Sequence, residues 1–342
     1  MRPMRTLAVV LLAGTVAGAQ QGAAPNPGTV RAPGPAPDVA PAGIACEACP
    51  YPYPSRYLPL SVYGQDVRMA YMDVTPAGAA NGHTVVLLHG NNFAGFYFGG
   101  LIDTLRAAGF RVVVPDQIGY GRSSKPAIPY TLHDMARNTR RLLEHLGIDR
   151  VMVVGHSMGG MAAARFATQN ADMMERLVLY NPIGVTDGRF ARRAPDPEQA
   201  YRQNLEATYQ SIKTGLLRYV AHDPSAWNEE FERYARIRYA WTLGAEWPRL
   251  AMAQALIGQM LYADQVVNDW AHIQVPTLAF GGAEDVLPGS AALFQERMRF
   301  IADTIPDGRG RLLLLPGLGH VPHVEDPDRT YPPLVAFLRE GL

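Results

Sequence analysis

The chain has 342 residues, 48% of them hydrophobic and 18% charged, a globular balance that excludes a disordered chain and suits one large domain or two small ones. Lys+Arg and Asp+Glu both number 31, so the formal net charge is zero, which argues against a nucleic-acid binder with its usual basic excess. Two cysteines exclude a disulfide-rich scaffold and a thiolate metal cluster.

The amino terminus reads as a targeting segment. Arg2 and Arg5 form a positive start, Leu7 to Ala17 an apolar run, and Ala17-Gly18-Ala19 a small-residue cleavage site. This order predicts a signal peptide over residues 1–19 and a secreted or periplasmic location. The run is too short to span a membrane, which takes roughly 18 or more apolar residues, so no stable span is expected after cleavage. Residues 20–54 hold nine Pro, eight Ala and four Gly but only three charges. That composition predicts a flexible or polyproline-like linker. Cys46 and Cys49 at its end suit a local disulfide or two surface thiols. They lack the strand–helix context of a redox motif and the further ligands of a zinc site.

From Tyr57 the pattern alternates strand and helix. Tyr57–Tyr63 and Val67–Val74 read as antiparallel strands turning at Gly64-Gln65. Short apolar runs follow at Thr84–Leu88, Arg111–Val114, Val151–Val154, Leu177–Tyr180, Thr277–Phe280 and Leu312–Leu315. Apolar runs without alternation suit parallel strands buried on both faces. Helical patterns lie between them, at Phe98–Ala108, Leu132–Leu146, Met158–Gln169, Ser290–Ile305 and Arg329–Leu338. The expected fold is an α/β, mostly parallel, eight-stranded sheet flanked by helices. Ligands of such sheets bind beyond the strands' carboxyl ends.

Residues 185–274 break the rhythm, with no strand-like run. Asp196-Pro197 and Asp223-Pro224 look like helix starts. The segment predicts an inserted helical cap between core segments 55–184 and 275–342. It carries all four tryptophans, Trp227, Trp241, Trp247 and Trp270. Most of these aromatics should pack the insert onto the sheet. The cap should also cover any site at the strand ends and set substrate choice, while the sheet alone positions the chemistry.

Gly155-His156-Ser157-Met158-Gly159-Gly160 follows an apolar run and opens a helical pattern. This is G-x-S-x-G on a strand–turn–helix bend. The bend would lift the Ser157 hydroxyl to a helix N-terminus, which favours developing negative charge. A serine hydroxyl needs a base and a group to orient that base. Asp285 and His320 follow the last two strand runs, so the order is Ser157, Asp285, His320.

In these residues the chain resembles the α/β-hydrolase superfamily over about residues 57–342. His89-Gly90-Asn91 is similar to its oxyanion turn, and Asp116-Gln117-Ile118-Gly119-Tyr120-Gly121-Arg122-Ser123 to its D-x-x-G-x-G-x-S loop. Gly282-Ala283-Glu284-Asp285 is similar to G-x-x-D, and His320-Val321-Pro322-His323-Val324-Glu325 to H-x-P-x-x-E. The resemblance implies an α/β-hydrolase fold and a triad of Ser157, His320 and Asp285. It places the oxyanion between the backbone N–H groups of Met158 and Asn91, with Asn92 as fallback. His323 competes as base, and Glu284 and Asp187 compete as acid. His89 and His156 are expected to brace their turns.

The expected activity is hydrolysis of a small-molecule ester or lactone through an acyl-enzyme, with neither metal nor organic cofactor. Relatives with this triad also cleave carbon–carbon bonds of ring-fission products or prolyl peptides, or make peracids. The His89–Phe93 turn departs from the glycine-rich turns of the first two. Serine in the elbow argues against the epoxide hydrolases and haloalkane dehalogenases, which use aspartate there. The different-class alternative is a non-catalytic binding protein on the same scaffold.

Overall fold

The structure is a computed structural model in which residues 35–342 are described. The predicted signal peptide, 1–19, and residues 20–34 lie outside the described residues.

The strands are β1 (Arg56–Val62), β2 (Gln65–Val74), β3 (Thr84–Leu88), β4 (Arg111–Pro115), β5 (Val151–His156), β6 (Met174–Tyr180), β7 (Thr277–Gly282) and β8 (Gly310–Leu315). They form one eight-stranded sheet in the order β1-β2-β4-β3-β5-β6-β7-β8. β1 and β2 are antiparallel, β2 is antiparallel to β4, and the rest run parallel. The hairpin turns at Tyr63-Gly64, one residue earlier than the sequence suggested. Both residues have positive φ, 51° and 72°, as a tight two-residue hairpin requires.

The central strands are buried on both faces. Val86, Leu88, Val113 and Val153 point into one core, and Val85, Leu87, Val112 and Val154 into the other. β8 departs from that expectation. It is an edge strand, alternately exposed and half-buried, because only β7 pairs with it.

The helices, in chain order, are α1 (Gly99–Ala107), α2 (Leu132–His145), α3 (Met158–Gln169), α4 (Pro197–Leu205), α5 (Tyr209–Leu217), α6 (Glu229–Thr242), α7 (Trp247–Ala263), α8 (Ala291–Thr304), α9 (Pro322–Glu325) and α10 (Pro327–Arg339). Leu142 of α2, Phe166 of α3 and Phe294 of α8 pack on one sheet face. Leu101 of α1 and Leu334 and Phe337 of α10 pack on the other. None of the helices among the described residues is long and apolar enough to cross a membrane.

Helices α4–α7 lie between β6 and β7, and residues 185–274 contain no strand. Asp196 caps α4 by accepting from the Glu198 and Gln199 N–H groups, with Pro197 in the first turn. Asp223-Pro224 opens only a short 3₁₀ turn, Pro224–Ala226. The longer helix α6 starts after Asn228, whose side chain accepts from the Glu230 and Phe231 N–H groups.

The expected flexible linker over 20–54 needs correction in its described part. Ile44, Cys46 and Cys49 are buried, and the two cysteines form a disulfide. Ala42 N–H donates to the Ala240 carbonyl at 2.9 Å, which ties the segment to α6. Tyr51 donates to Asp116 and lies under the Arg122 guanidinium, 4.0 Å from the ring centroid. Composition misled because a few side chains do the packing. The prolines also leave less backbone entropy to lose on ordering.

Candidate active site

β5 ends in the bend that the G-x-S-x-G pattern implied. Ser157 has φ 58° and ψ −119°, a conformation that a non-glycine residue keeps only where its surroundings force it. Those surroundings explain the glycines. A Cβ on Gly155 would lie 2.1 Å from the Gly159 carbonyl oxygen, and one on Gly159 would lie 2.0 Å from the Leu88 oxygen. The bend also puts Ser157 directly before α3, at the positive end of that helix.

Ser157, His320 and Asp285 come together from three strand ends. His320 Nε2 lies 2.9 Å from Ser157 Oγ, and His320 Nδ1 lies 2.6 Å from Asp285 Oδ2. All three are buried. Burial pushes the Asp285 carboxyl upward, but the nearby His320, with hydrogen bonds from His320, the Leu287 N–H and Asn181, outweighs it and holds the group below its ordinary value. Asp285 is therefore ionised and fit to orient His320.

The competitors lie elsewhere. His323 Nδ1 is 2.9 Å from the Tyr180 hydroxyl, and burial lowers its pKa to about 3. Asp187 is paired with Arg189. Glu284 directs its backbone N–H to the Leu318 carbonyl, and it is Asp285 that meets His320.

The turn after β3 lies against Ser157. A Cβ on Gly90 would sit 3.1 Å from Ser157 Cβ. The Asn91 and Met158 backbone N–H groups carry no hydrogen bond among the described residues. The Asn91 side chain accepts from the Tyr120 hydroxyl at 2.6 Å, and that hydroxyl also touches Met158 Sδ at 3.0 Å. One tyrosine thus links the two oxyanion candidates. Asn92 is engaged on both sides, its side chain with the Tyr219 hydroxyl and its carbonyl with Arg238 at 3.3 Å.

A buried relay binds this turn to the elbow and to the histidine loop. Gly90 N–H donates to the Tyr97 hydroxyl at 2.8 Å, which donates to His156 Nδ1 at 2.8 Å. His156 Nε2 then donates to the His320 carbonyl at 2.8 Å. This chain of donors requires a neutral His156. Burial, with repulsion from His320 and His323, lowers its pKa well below the ordinary value. His89 braces the turn from the other side. Its Nε2 accepts the Gln117 N–H at 3.0 Å, and burial lowers its pKa against the opposing pull of Asp116. Asp116 Oδ1 in turn accepts the Gly95 N–H at 2.7 Å. The D-x-x-G-x-G-x-S loop therefore serves to hold the turn after β3.

The expectation that the sheet alone positions the triad is also corrected. The carbonyl of Tyr219, a cap residue, accepts the His320 N–H at 3.0 Å. The Tyr219 ring centroid lies 4.9 Å from that of His320. Cap and sheet together hold His320.

Ser157 opens into a cavity of about 810 Å³ beneath the cap. Met161, Ile183, Val185, Leu261 and Leu287 supply its apolar wall. Gly215 of α5 and Gly258 of α7 also line it, with open space where a Cβ would stand. None of the four tryptophans faces this cavity. Trp270 is fully buried, Trp241 and Trp247 line a separate cleft, and Trp227 stacks on Phe231. The aromatic lining is Tyr219 and Tyr262.

Sequence reasoning missed Tyr97, Tyr219 and Asn181. Asn181 donates to Asp285 Oδ2 at 2.9 Å and accepts the Gly282 N–H at 2.9 Å. Its place directly after β6, with φ 38°, is a detectable signal, because Asn tolerates left-handed backbone at strand ends. Tyr97 and Tyr219 carry no comparable signal.

Sheet order, elbow and strand-end residues define an enzyme-like α/β architecture of the hydrolase type. The chain belongs to the alpha/beta hydrolase family, whose sequence profile matches residues 85–332. A probable hydrolytic enzyme from Pseudomonas aeruginosa PAO1, known from a crystal structure, superposes with a TM-score of 0.81 at 34% identity, covering 88% of this chain and 99% of that one. The soluble epoxide hydrolase of Corynebacterium sp. (strain C12) is 40% identical over 105 residues, 31% of this chain and 36% of that protein. The 2-hydroxy-6-oxononadienedioate/2-hydroxy-6-oxononatrienedioate hydrolase of Paraburkholderia phymatum is 32% identical over 186 residues, 52% of this chain and 61% of that protein. The chain thus spans less than two thirds of the length of these two relatives.

Proposed function

We propose that the protein is a serine hydrolase that cleaves a small ester or lactone through an acyl-enzyme. The observation that carries this reading is the line Ser157–His320–Asp285, at 2.9 and 2.6 Å, beside the free Asn91 and Met158 N–H groups. Ser157 Oγ attacks the carbonyl carbon as its proton passes to His320 Nε2. The oxyanion is held by the Met158 and Asn91 N–H groups. On collapse the ester C–O bond breaks and His320 returns the proton to the leaving oxygen. Water, deprotonated by His320, then releases the acid and restores the Ser157 hydroxyl. Asp285 holds the imidazole in the required tautomer throughout.

A fluorophosphonate probe tests this reading. It should label the wild type and leave folded Ser157→Ala unlabelled. Labelling that survives the substitution refutes the assignment.

A second reading is hydrolysis of a carbon–carbon bond, favoured by the match to the dienedioate hydrolase over 52% of the chain. Turnover of a ring-fission dienone, run beside esters and lactones, separates the two. The epoxide hydrolase likeness covers only 31% of the chain, and the elbow here holds serine.

Export is part of the proposal. The arrangement of Arg2, Arg5, Leu7–Ala17 and Ala17-Gly18-Ala19 supports it, and the Cys46–Cys49 disulfide suits an oxidising compartment. Mass spectrometry of the exported protein should find an amino terminus near Gln20. An intact amino terminus on membrane-bound protein refutes cleavage.

A further inference from the structure

Three arginines, Arg192, Arg193 and Arg218, line the cavity that holds Ser157, and no Asp or Glu does. Several other arginines in and near the cap are paired with carboxylates, while Arg238 and Arg249 donate to the backbone carbonyls of Asn92 and Lys125. Arg189 pairs with Asp187, Arg202 with Glu198, and Arg165 with Asp264 and Asp269. Arg192, Arg193 and Arg218 have no carboxylate partner among the described residues. In a chain with 31 charges of each sign, this is a local excess of positive charge and not a global one.

The placement gives the charge a role. Arg192 and Arg193 lie on the loop between β6 and α4, at one rim of the cavity. Arg218 directly precedes Tyr219, whose carbonyl holds the His320 backbone. The apolar wall, with Met161, Ile183 and Leu261, lines the same cavity, while the three arginines are exposed at its edge. Like charges gathered without counter-ions raise the local anion concentration, the more so between low-dielectric walls. Guanidinium groups bind carboxylate and phosphate through paired N–H donors. An apolar ligand ending in an anion satisfies both parts of the cavity.

We propose that the substrate is an anionic ester or lactone. Its carbonyl sits at Ser157, its apolar stem lies on the Met161–Leu261 wall, and a carboxylate or phosphate is held by Arg218 with Arg192 and Arg193. This rests on Ser157 being the nucleophile. The bond broken and the proton path are those of the acyl-enzyme cycle above, and the arginines take no part in them.

The test compares 4-nitrophenyl hydrogen adipate, its neutral methyl ester, and the chain-matched phosphonate. At about 20 mM salt, kcat/KM should favour an anionic ester over the neutral one by about tenfold or more, and the preference should shrink at about 0.5 M salt. The better of the two anionic substrates identifies the group. Arg218→Gln and the Arg192→Gln/Arg193→Gln pair should each cut that ratio at least about fivefold, chiefly through KM. Arg202→Gln, an exposed cap arginine outside the cavity, should leave the ratio as it is. A wild-type ratio near one, or a ratio indifferent to the cavity arginines, overturns the proposal. If Ser157-dependent turnover persists in that case, the hydrolase reading stands. Calorimetric titration of adipate into Ser157→Ala reads the anion site without turnover. Binding that weakens about tenfold with added Arg218→Gln is expected, and absence of binding at about 10 mM adipate overturns the assignment.

Discussion

Replacing Tyr97 with phenylalanine isolates one atom of the buried relay. The ring remains, stacked on Phe93 at 4.6 Å, so no cavity opens. The hydroxyl goes, and two buried groups lose their partner, the Gly90 N–H and His156 Nδ1. Each unsatisfied buried group costs about 1–3 kcal/mol, so the variant should be less stable by about 2–6 kcal/mol. For domains of about 150–250 residues 1 kcal/mol moves Tm by about 2–4 °C, so Tm should fall by at least about 4 °C. Gly90 precedes Asn91, whose N–H is the proposed oxyanion donor. Removing such a donor outright costs about 2.7–4 kcal/mol. Loosening it should lower kcat by about tenfold to a hundredfold and leave KM close to wild type, because the donor acts mainly in the transition state. Thermal unfolding and steady-state kinetics on one 4-nitrophenyl ester read both effects. An unchanged Tm refutes the hydrogen-bond accounting. A lowered Tm with kcat within about twofold of wild type separates the relay from the oxyanion turn.

Alanine at His320 or at Asp285 should each lower kcat severely, and the double variant should be little worse than the worse single, since the triad acts as a unit. His323→Ala should cost stability and spare most activity, because His323 bonds to Tyr180 and not to Ser157; an inactive His323→Ala would overturn the assignment of the base. Gly258→Leu should fill part of the open space on α7 and shift the acyl-length profile toward shorter esters; an unchanged profile would place the acyl chain elsewhere. Acid should destabilise the fold through its buried histidines. His323, held at about 3 by burial, stays neutral in the fold, while the unfolded chain protonates it below about pH 6.5. Its contribution is intact above that value and is lost as pH falls toward 3, at about 1.4 kcal/mol per unit. His323→Gln should therefore flatten the slope of unfolding free energy against pH between about 6.5 and 5 by about one proton, and an unaltered slope would refute this linkage.

What the sequence reveals divides along a physical line. Ser157 stands directly after β5, and Asp285 and His320 in the loops just beyond β7 and β8, and a parallel strand reads as a short apolar run with a sharp end. Once the strands are placed, their carboxyl ends share one edge, and the residues there meet. The glycines of the elbow are legible for a similar reason. The carbonyls that exclude side chains at Gly155 and Gly159 belong to Gly159 and Leu88, within the same strand–turn–helix unit and the strand beside it. The packing of residues 42–54 has no such local origin. It depends on Tyr51 reaching Asp116 and Arg122, which composition cannot report. Tyr97 is silent likewise, since its hydroxyl joins a group of β5 to one in the turn between β3 and α1.

The cap carries this reasoning one step further. Its tryptophans are its most conspicuous residues, yet they stabilise the insert and line other surfaces. The cavity over Ser157 is built from loop residues, side chains and two glycines of helices, and unpaired arginines, none of which stands out until the segments are folded together. Arg218 and Tyr219 are neighbours in one 3₁₀ turn. The first lines the cavity, and the carbonyl of the second holds the His320 backbone. A shift of this turn on ligand binding would therefore move His320, the proposed base, as well. Cap variants that displace it should alter kcat and KM together, whereas changes at Gly258, on α7, should act on chain-length selection alone.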